Sequence, residues 1–153
     1  MSDTITRKRV LSPEEIALLN QKYKPLTIER RIEELYNDFD QDEVMLTSSF
    51  AATSALLLKL FSDIHKEQKV YFIDTGYHFE ETLEYKERLS KLYNLKVESI
   101  RALKEEHTFT TEDETWKKNP DFCCYINKVK PLEIIKERYT VWVSGLMEWQ
   151  SDH

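Results

Sequence analysis

Four short runs of β-branched, aromatic and aliphatic residues, each separated from the next by a stretch of helical periodicity, constrain this chain more than any other feature. They are Val44-Met45-Leu46, Val70-Tyr71-Phe72-Ile73, Lys96 to Ile100 and Thr140-Val141-Trp142-Val143. Between them, Ala52 to Ile64 carries Leu56, Leu57, Leu60, Phe61 and Ile64 on a helical stripe. Glu80 to Tyr93 reads as an amphipathic helix, and Pro131 to Arg138 as another. Strands that alternate with helices are joined by crossovers, and crossovers bring successive strands parallel. The expected fold class is α/β, a parallel sheet with helices on both faces.

Upstream, Ser12-Pro13-Glu14-Glu15 has the form of a helix start. Ser12 is the N-cap, Pro13 fits the first helical position, and Glu15 completes a capping box. Ile16, Leu19 and Tyr23 continue that face, and a second helix from Thr27 to Asp38 spaces Ile28, Ile32, Leu35 and Phe39. No repeat or Pro/Gly-rich linker breaks the chain, so one domain over residues 1–153 is expected, with residues 1–26 as an N-terminal helical extension. The first ten residues are polar and expected to be loose.

Composition narrows the function classes. Lys and Arg number 22 against 28 Asp and Glu, a net charge of −6. No basic surplus exists to neutralise phosphates, which argues against a nucleic-acid or anionic-membrane partner. Apolar runs reach about five residues where a membrane span needs roughly 20, and the N-terminus shows no signal-peptide core, so a cytoplasmic protein is expected. The two cysteines are adjacent, Cys123-Cys124, which excludes a disulfide scaffold. Glycine occurs only twice, where average usage gives roughly 11. Gly76 and Gly145 each follow a strand closely, near the C-terminal strand ends where open parallel sheets bind ligands. A tight turn beside a ligand and a plain turn fit these positions equally.

Four segments could carry chemistry. Thr47-Ser48-Ser49-Phe50-Ala51-Ala52-Thr53-Ser54 is a hydroxyl-rich strand-to-helix turn. It suits an anion such as phosphate, or simply caps its helix. Asp74-Thr75-Gly76-Tyr77-His78 ends the second strand. There Asp74 could accept from a ribose or amine, and His78 could donate to a phosphate or sulfate, unless both are turn and cap residues. Cys123 and Cys124, with Lys128 nearby to favour thiolates, suggest metal or cluster ligation or redox chemistry. Two buried small hydrophobes are the alternative, and two thiolates do not complete a four-ligand site. His65, His78, His107 and His153 are scattered without metal-ligand spacing. Trp142 to Ser151, the fourth segment, has an aromatic and methionine content that reads as core.

Taken in order, Thr47-Ser48-Ser49-Phe50, Ile73 to Thr82, Cys-Cys-x-x-x-Lys-Val-x-Pro-Leu from Cys123 to Leu132, and Trp142-Val143-Ser144-Gly145-Leu146 followed by Gln150-Ser151 resemble the assimilatory adenylyl-sulfate / phosphoadenylyl-sulfate reductases. The resemblance runs from Val44 to Ser151. It implies an adenine-nucleotide α-hydrolase-like fold with a modified pyrophosphatase loop. The implied activity reduces adenylyl sulfate, or 3′-phosphoadenylyl sulfate, to sulfite and AMP or adenosine 3′,5′-bisphosphate, with thioredoxin or glutaredoxin as reductant.

By the same resemblance Ser48, Ser49 and Phe50 face the nucleotide with Thr53 and Ser54 close by, Asp74, Thr75 and Gly76 flank the adenosine, and His78 and Gly145 join the substrate site. Cys123 and Cys124 are the implied first two ligands of a 4Fe–4S cluster, and Lys128 stands between cluster and sulfate. The adjacent pair points to the cluster-bearing branch, which mostly uses adenylyl sulfate. A homo-oligomer is compatible with this reading.

The sequence departs from the family pattern at Ala51-Ala52-Thr53-Ser54, at Asn127 where a basic residue is usual, and at Met147-Glu148 where Arg-Arg is usual. Members carry a further Cys-x-x-Cys pair and a nucleophilic tail cysteine. The expectation is therefore a fragment lacking the cysteine-bearing C-terminal part and inactive alone. The rival readings are a non-catalytic adenine-nucleotide-binding module and an ATP pyrophosphatase-type enzyme on the same fold.

Overall fold

The computed structural model describes residues 8–146. Two helices lead, α1 (Pro13–Tyr23) and α2 (Ile28–Asp38). The capping box is present: Ser12 Oγ accepts from the Glu15 N–H at 3.1 Å, and Glu15 Oε2 accepts from the Ser12 N–H at 2.8 Å. Thr27 caps α2. Polar ties hold α1 to α2, with the Tyr23 hydroxyl donating to Asp38 at 2.7 Å and Lys22 pairing with Glu34 and Asp38.

The alternating part then runs β1 (Val44–Thr47), α3 (Ala55–Ile64), β2 (Lys69–Ile73), α4 (Glu80–Leu92) and β3 (Lys96–Ile100). Three short helices follow, α5 (Lys104–Glu112), α6 (Thr115–Lys118) and α7 (Pro120–Cys124). A π-turn at Tyr125–Val129 leads into α8 (Lys130–Lys136) and then β4 (Val141–Val143). The four strands form one parallel sheet in the order β3-β2-β1-β4.

Strand alternation divides the core between the two faces. Val44, Leu46, Val70 and Phe72 pack with Ile32 and Leu35 of α2, Leu58 and Phe61 of α3 and Leu89 of α4. Met45, Tyr71 and Ile100 project the other way, against Leu132 and Ile135 of α8 and Tyr139. Helices on both faces follow from this. Among the described residues no helix is long and apolar enough to cross a membrane.

Three differences from the sequence reading stand out. Three short helices, α5 to α7, fall within residues 104–124, for which the sequence reading gives no element; α5 buries only Thr110. Trp142 is 47% exposed rather than core, and its indole N–H donates to Thr47 Oγ1 at 2.8 Å. Gly145 has no positive φ, and a Cβ there would meet nothing nearer than Leu57 Cδ2 at 4.0 Å, so no tight turn requires glycine at that position. The Met147–Ser151 part of the last motif, the first seven residues and His153 lie outside the described residues.

Candidate functional site

From β1 the chain moves outward through β2 to β3 and then crosses back to β4 on the other side of β1, so the winding reverses between β1 and β4. In open parallel sheets, ligands sit outside the C-terminal strand ends at such a reversal. The loop Ser48–Ser54 leaves β1 there and Ser144–Leu146 leaves β4, while the loop from Asp74 leaves β2 alongside.

The loops after β1 and β2 are built by the same local bonding. Ser48 Oγ accepts from the Phe50 N–H at 3.1 Å and Ser49 Oγ from the Ala51 N–H at 3.4 Å. After β2, Asp74 Oδ1 accepts from the Gly76 N–H at 3.0 Å and Thr75 Oγ1 from the Tyr77 N–H at 3.2 Å. Short polar side chains that bond the backbone two residues on are the usual makers of such turns. In both loops the third residue has left-handed backbone, Phe50 at φ 53° and Gly76 at φ 77°.

In the β1 loop the serine oxygens already accept from backbone. Ser54 is buried, with its hydroxyl donating to the Ala51 carbonyl at 2.6 Å. The Ser48 and Ser49 hydroxyl protons and the exposed Thr53 are what the loop's side chains offer outward. Phe50 offers no side chain there, since its ring is 1% exposed and stands edge-on to Phe72, with centroids 5.7 Å apart.

In the β2 loop the Asp74 carboxylate also holds Arg101, with Oδ2 2.9 Å from Nε and 2.7 Å from the terminal nitrogen. Burial works against the charged form of Asp74. The Gly76 N–H and the Arg101 guanidinium outweigh it and hold the carboxyl below its ordinary value. His78 lies with Nε2 2.9 Å from the Ile73 carbonyl oxygen, which fixes a proton on that nitrogen and leaves Nδ1 as the second ring nitrogen.

Asp74, Gly76 and His78 line one cavity of about 550 Å³ together with Leu83, Arg101, Ala102, Lys104 and His107. Of the sequence-predicted residues these three are brought together. Ser48, Ser49, Phe50, Thr53, Ser54, Thr75, Lys128 and Gly145 are not among those lining residues. Arg101, Lys104 and His107 were not singled out from sequence; the signal available was their position just after the third strand, at its C-terminal end.

Cys123 and Cys124 close α7. Both thiols are free, the first buried and the second exposed. Asn127, 2% exposed, donates from Nδ2 to the Cys123 carbonyl at 3.0 Å and lies 3.7 Å from its Sγ. Lys128 follows on the π-turn, exposed and without an ion-pair partner among the described residues. The π-turn has a local cause. Pro131 has no N–H for the Asn127 carbonyl and crowds it, and an opened turn accommodates that in an otherwise continuous helical run. Among the described residues no three Cys, His, Asp or Glu side chains are gathered to hold a metal ion. Two thiols from one helix do not by themselves fit a four-iron cluster, which takes four thiolates.

A parallel α/β sheet wound in this order, with a cavity lined by charged and apolar groups at its C-terminal edge, is of the nucleotide-binding α/β kind to which the adenine-nucleotide α-hydrolase-like fold belongs. The chain belongs to the phosphoadenosine phosphosulfate reductase domain family, which it matches over residues 43–153. It is 36% identical over 113 residues to the adenosine 5′-phosphosulfate reductase of Staphylococcus saprophyticus, covering 72% of this chain and 47% of the relative. It is 36% identical over 115 residues to adenosine 5′-phosphosulfate reductase 2 of Bacillus subtilis, covering 72% and 48%. The Chelativorans enzyme of the first name is 33% identical over 137 residues, covering 88% and 56%.

The chain thus spans about half the length of the curated relatives it matches. The crystal structure of phosphoadenylyl-sulfate reductase from Candida auris, in complex with phosphate, superposes with a TM-score of 0.77 at 21% identity. That match covers 91% of this chain and 70% of the other, and it establishes the shared fold.

Proposed function

We propose that this chain binds a sulfated adenine nucleotide at the C-terminal edge of its sheet and serves sulfonucleotide reduction in sulfate assimilation, with adenylyl sulfate as the substrate and 3′-phosphoadenylyl sulfate as the alternative. The observation that carries the reading is the cavity of about 550 Å³ beyond β2 and β3, in a chain of this family. It combines groups suited to an anion, Lys104 and Arg101, with acceptors suited to a sugar, Asp74 and His107. Ser48, Ser49 and Thr53 of the β1 loop, shaped from beneath by buried Phe50 and Ser54, and Gly145 after β4 extend the proposed substrate surface toward the neighbouring winding reversal. Thr75 supports it by shaping the β2 loop.

In the proposed reaction two thiols of a thioredoxin or glutaredoxin supply two electrons. The sulfur–oxygen bond to the nucleotide breaks, and sulfite, AMP and a disulfide are the products. This chain's part is to hold the nucleotide and to set positive charge near the sulfate, for which the exposed Lys128 is the proposed donor. Cys123 and Cys124 are proposed as two of the four thiolates of a 4Fe–4S cluster. The sequence contains no other cysteine, and no step is derived through the cluster. The second reading is nucleotide binding without turnover, which the same cavity would serve.

The test is calorimetric titration of the chain with adenylyl sulfate, 3′-phosphoadenylyl sulfate, AMP, and ATP with magnesium, followed by a sulfite assay with thioredoxin and a dithiol. Saturable binding of a sulfonucleotide without magnesium is the expected outcome. A requirement for ATP and magnesium would replace the proposal with an ATP pyrophosphatase. Binding without sulfite release selects the second reading.

A further inference from the structure

His107 stands on α5 with its ring against the Gly76 backbone and 5.2 Å, centroid to centroid, from the Tyr77 ring. A Cβ on Gly76 would lie 2.5 Å from His107 Cε1 and 2.8 Å from Nε2. On its other edge, His107 Nδ1 is 2.9 Å from Asn127 Oδ1.

The direction of the Asn127 amide follows from its neighbours. One end lies 3.0 Å from the Cys123 carbonyl oxygen, which only accepts, so that end is the NH₂ group. It also donates to Thr110 Oγ1 at 3.0 Å. The end facing His107 is therefore the amide oxygen, and an acceptor at 2.9 Å holds the ring proton on Nδ1. In the neutral imidazole, Nε2 then carries the lone pair. Among the described residues Nε2 has no protein partner, and no buried side-chain nitrogen or oxygen lacks one. Nε2 is thus not fully buried, on a ring that lines the cavity beside Gly76.

We infer that His107 contacts the ligand of this cavity directly, its Nε2 accepting a hydrogen bond from a sugar hydroxyl, and that Asn127 is the positioning residue that fixes it in this state. The inference rests on the nucleotide reading above. A lone pair is satisfied by a donor. An ionised phosphate or sulfate has none, whereas a ribose hydroxyl does. The Gly76 and Tyr77 N–H groups are already taken by Asp74 and Thr75, so recognition here falls to side chains. Lys104 and Arg101 suit the anionic end of a nucleotide, and His107 suits its sugar. Asn127 is held in turn by the Cys123 backbone and by Thr110, whose hydroxyl oxygen also lies 3.2 Å from the Tyr77 hydroxyl. The α5 ring that reads the sugar is therefore braced, through Asn127, by the segment that carries the two thiols.

The experiment compares binding of AMP, 2′-deoxy-AMP and 3′-deoxy-AMP to the chain and to His107→Ala and Asn127→Leu, by calorimetry, with circular dichroism confirming that each variant is folded. The wild-type chain is expected to bind AMP about five-fold more tightly than one of the two deoxynucleotides, the size of one neutral hydrogen bond. Both variants are expected to lose that preference. Alongside, the ring-nitrogen shifts of ¹⁵N-histidine-labelled protein are read at a pH where an ordinary imidazole is neutral, above about 7.5. His107, assigned by its absence in His107→Ala, is expected as the Nδ1–H form in wild type and is expected to lose that form in Asn127→Leu. Failure of AMP to bind at all would overturn the nucleotide reading and this inference with it. AMP binding with an undiminished deoxy preference in His107→Ala, no preference in wild type, or an Nε2–H form in wild type would overturn this inference alone.

Discussion

The loops after β1 and β2 are the same turn put to two uses. Each begins with two short polar side chains that bond backbone N–H groups two residues on, and each turns its third residue into left-handed backbone. In the first loop that residue is Phe50. Left-handed backbone disfavours a non-glycine residue by about 1–2 kcal/mol, yet a fully buried aromatic ring contributes more, so core packing dominates. In the second loop it is Gly76, where the missing side chain makes room for the ring of His107. One backbone device therefore anchors the sheet in one place and makes room for the ring of His107 in the other.

The largest effect that probes this contrast is expected at Phe50. Phe50→Ala removes the ring at a site with 1% exposure and should cost about 3–5 kcal/mol in urea denaturation. Phe50→Gly should cost less than Phe50→Ala, because glycine relieves the left-handed backbone. The reverse order would show that φ is immaterial at this loop.

Gly76→Ala should cost about 2 kcal/mol, combining backbone strain with the collision at His107. In a His107→Ala background the loss should fall to the backbone share alone. Equal losses in the two backgrounds would separate Gly76 from His107 and break the comparison.

Asp74→Asn should cost about 1 kcal/mol, since it weakens the turn and unpairs Arg101. Its pH dependence has a definite sign. The folded-state value of Asp74 lies below the ordinary 3.8, so the carboxylate's contribution is fully present above that pH. It is lost as pH falls through the lower, folded value. Stability curves of wild type and Asp74→Asn should accordingly run parallel from neutral pH down to the ordinary carboxylate range and converge only below it.

Gly145→Ala should change stability by less than about 0.5 kcal/mol, because its φ is not positive and nothing lies closer than 4.0 Å to the added carbon. A large loss there would restore the parallel with Gly76.

Much of the frame was legible because it rests on local rules. The Ser12–Glu15 capping box, the Thr27 cap, the four strands and the helices over 55–64 and 80–92 follow from spacing and end chemistry within a few residues. Both loops were legible as candidate sites for the same reason. What stayed hidden depends on partners distant in sequence. Phe50 sat in a hydroxyl-rich string that read as a binding loop, and only Phe72, across the sheet, shows its ring to be core. His107 looked like one of four scattered histidines until Gly76 and Asn127 closed around it. Residues 104–124 lack an apolar stripe because their helices lie largely exposed, so hydrophobic period could not reveal them.

The π-turn at Tyr125–Val129 has a consequence for phase. In an unbroken α-helix, positions eleven apart return to within about 20° of the same face. Cys123 is buried, but Ile134, eleven residues on, is 55% exposed; Cys124 is exposed, whereas Ile135 packs beneath the sheet with Met45 and Tyr71. The burial pattern slips by one residue across the turn, the displacement that a single extra residue introduces. The extra residue thus brings Cys123 and Ile135, twelve positions apart, onto the buried side of one helical run, and the turn sets which of the two thiols faces inward relative to the stripe that docks α8.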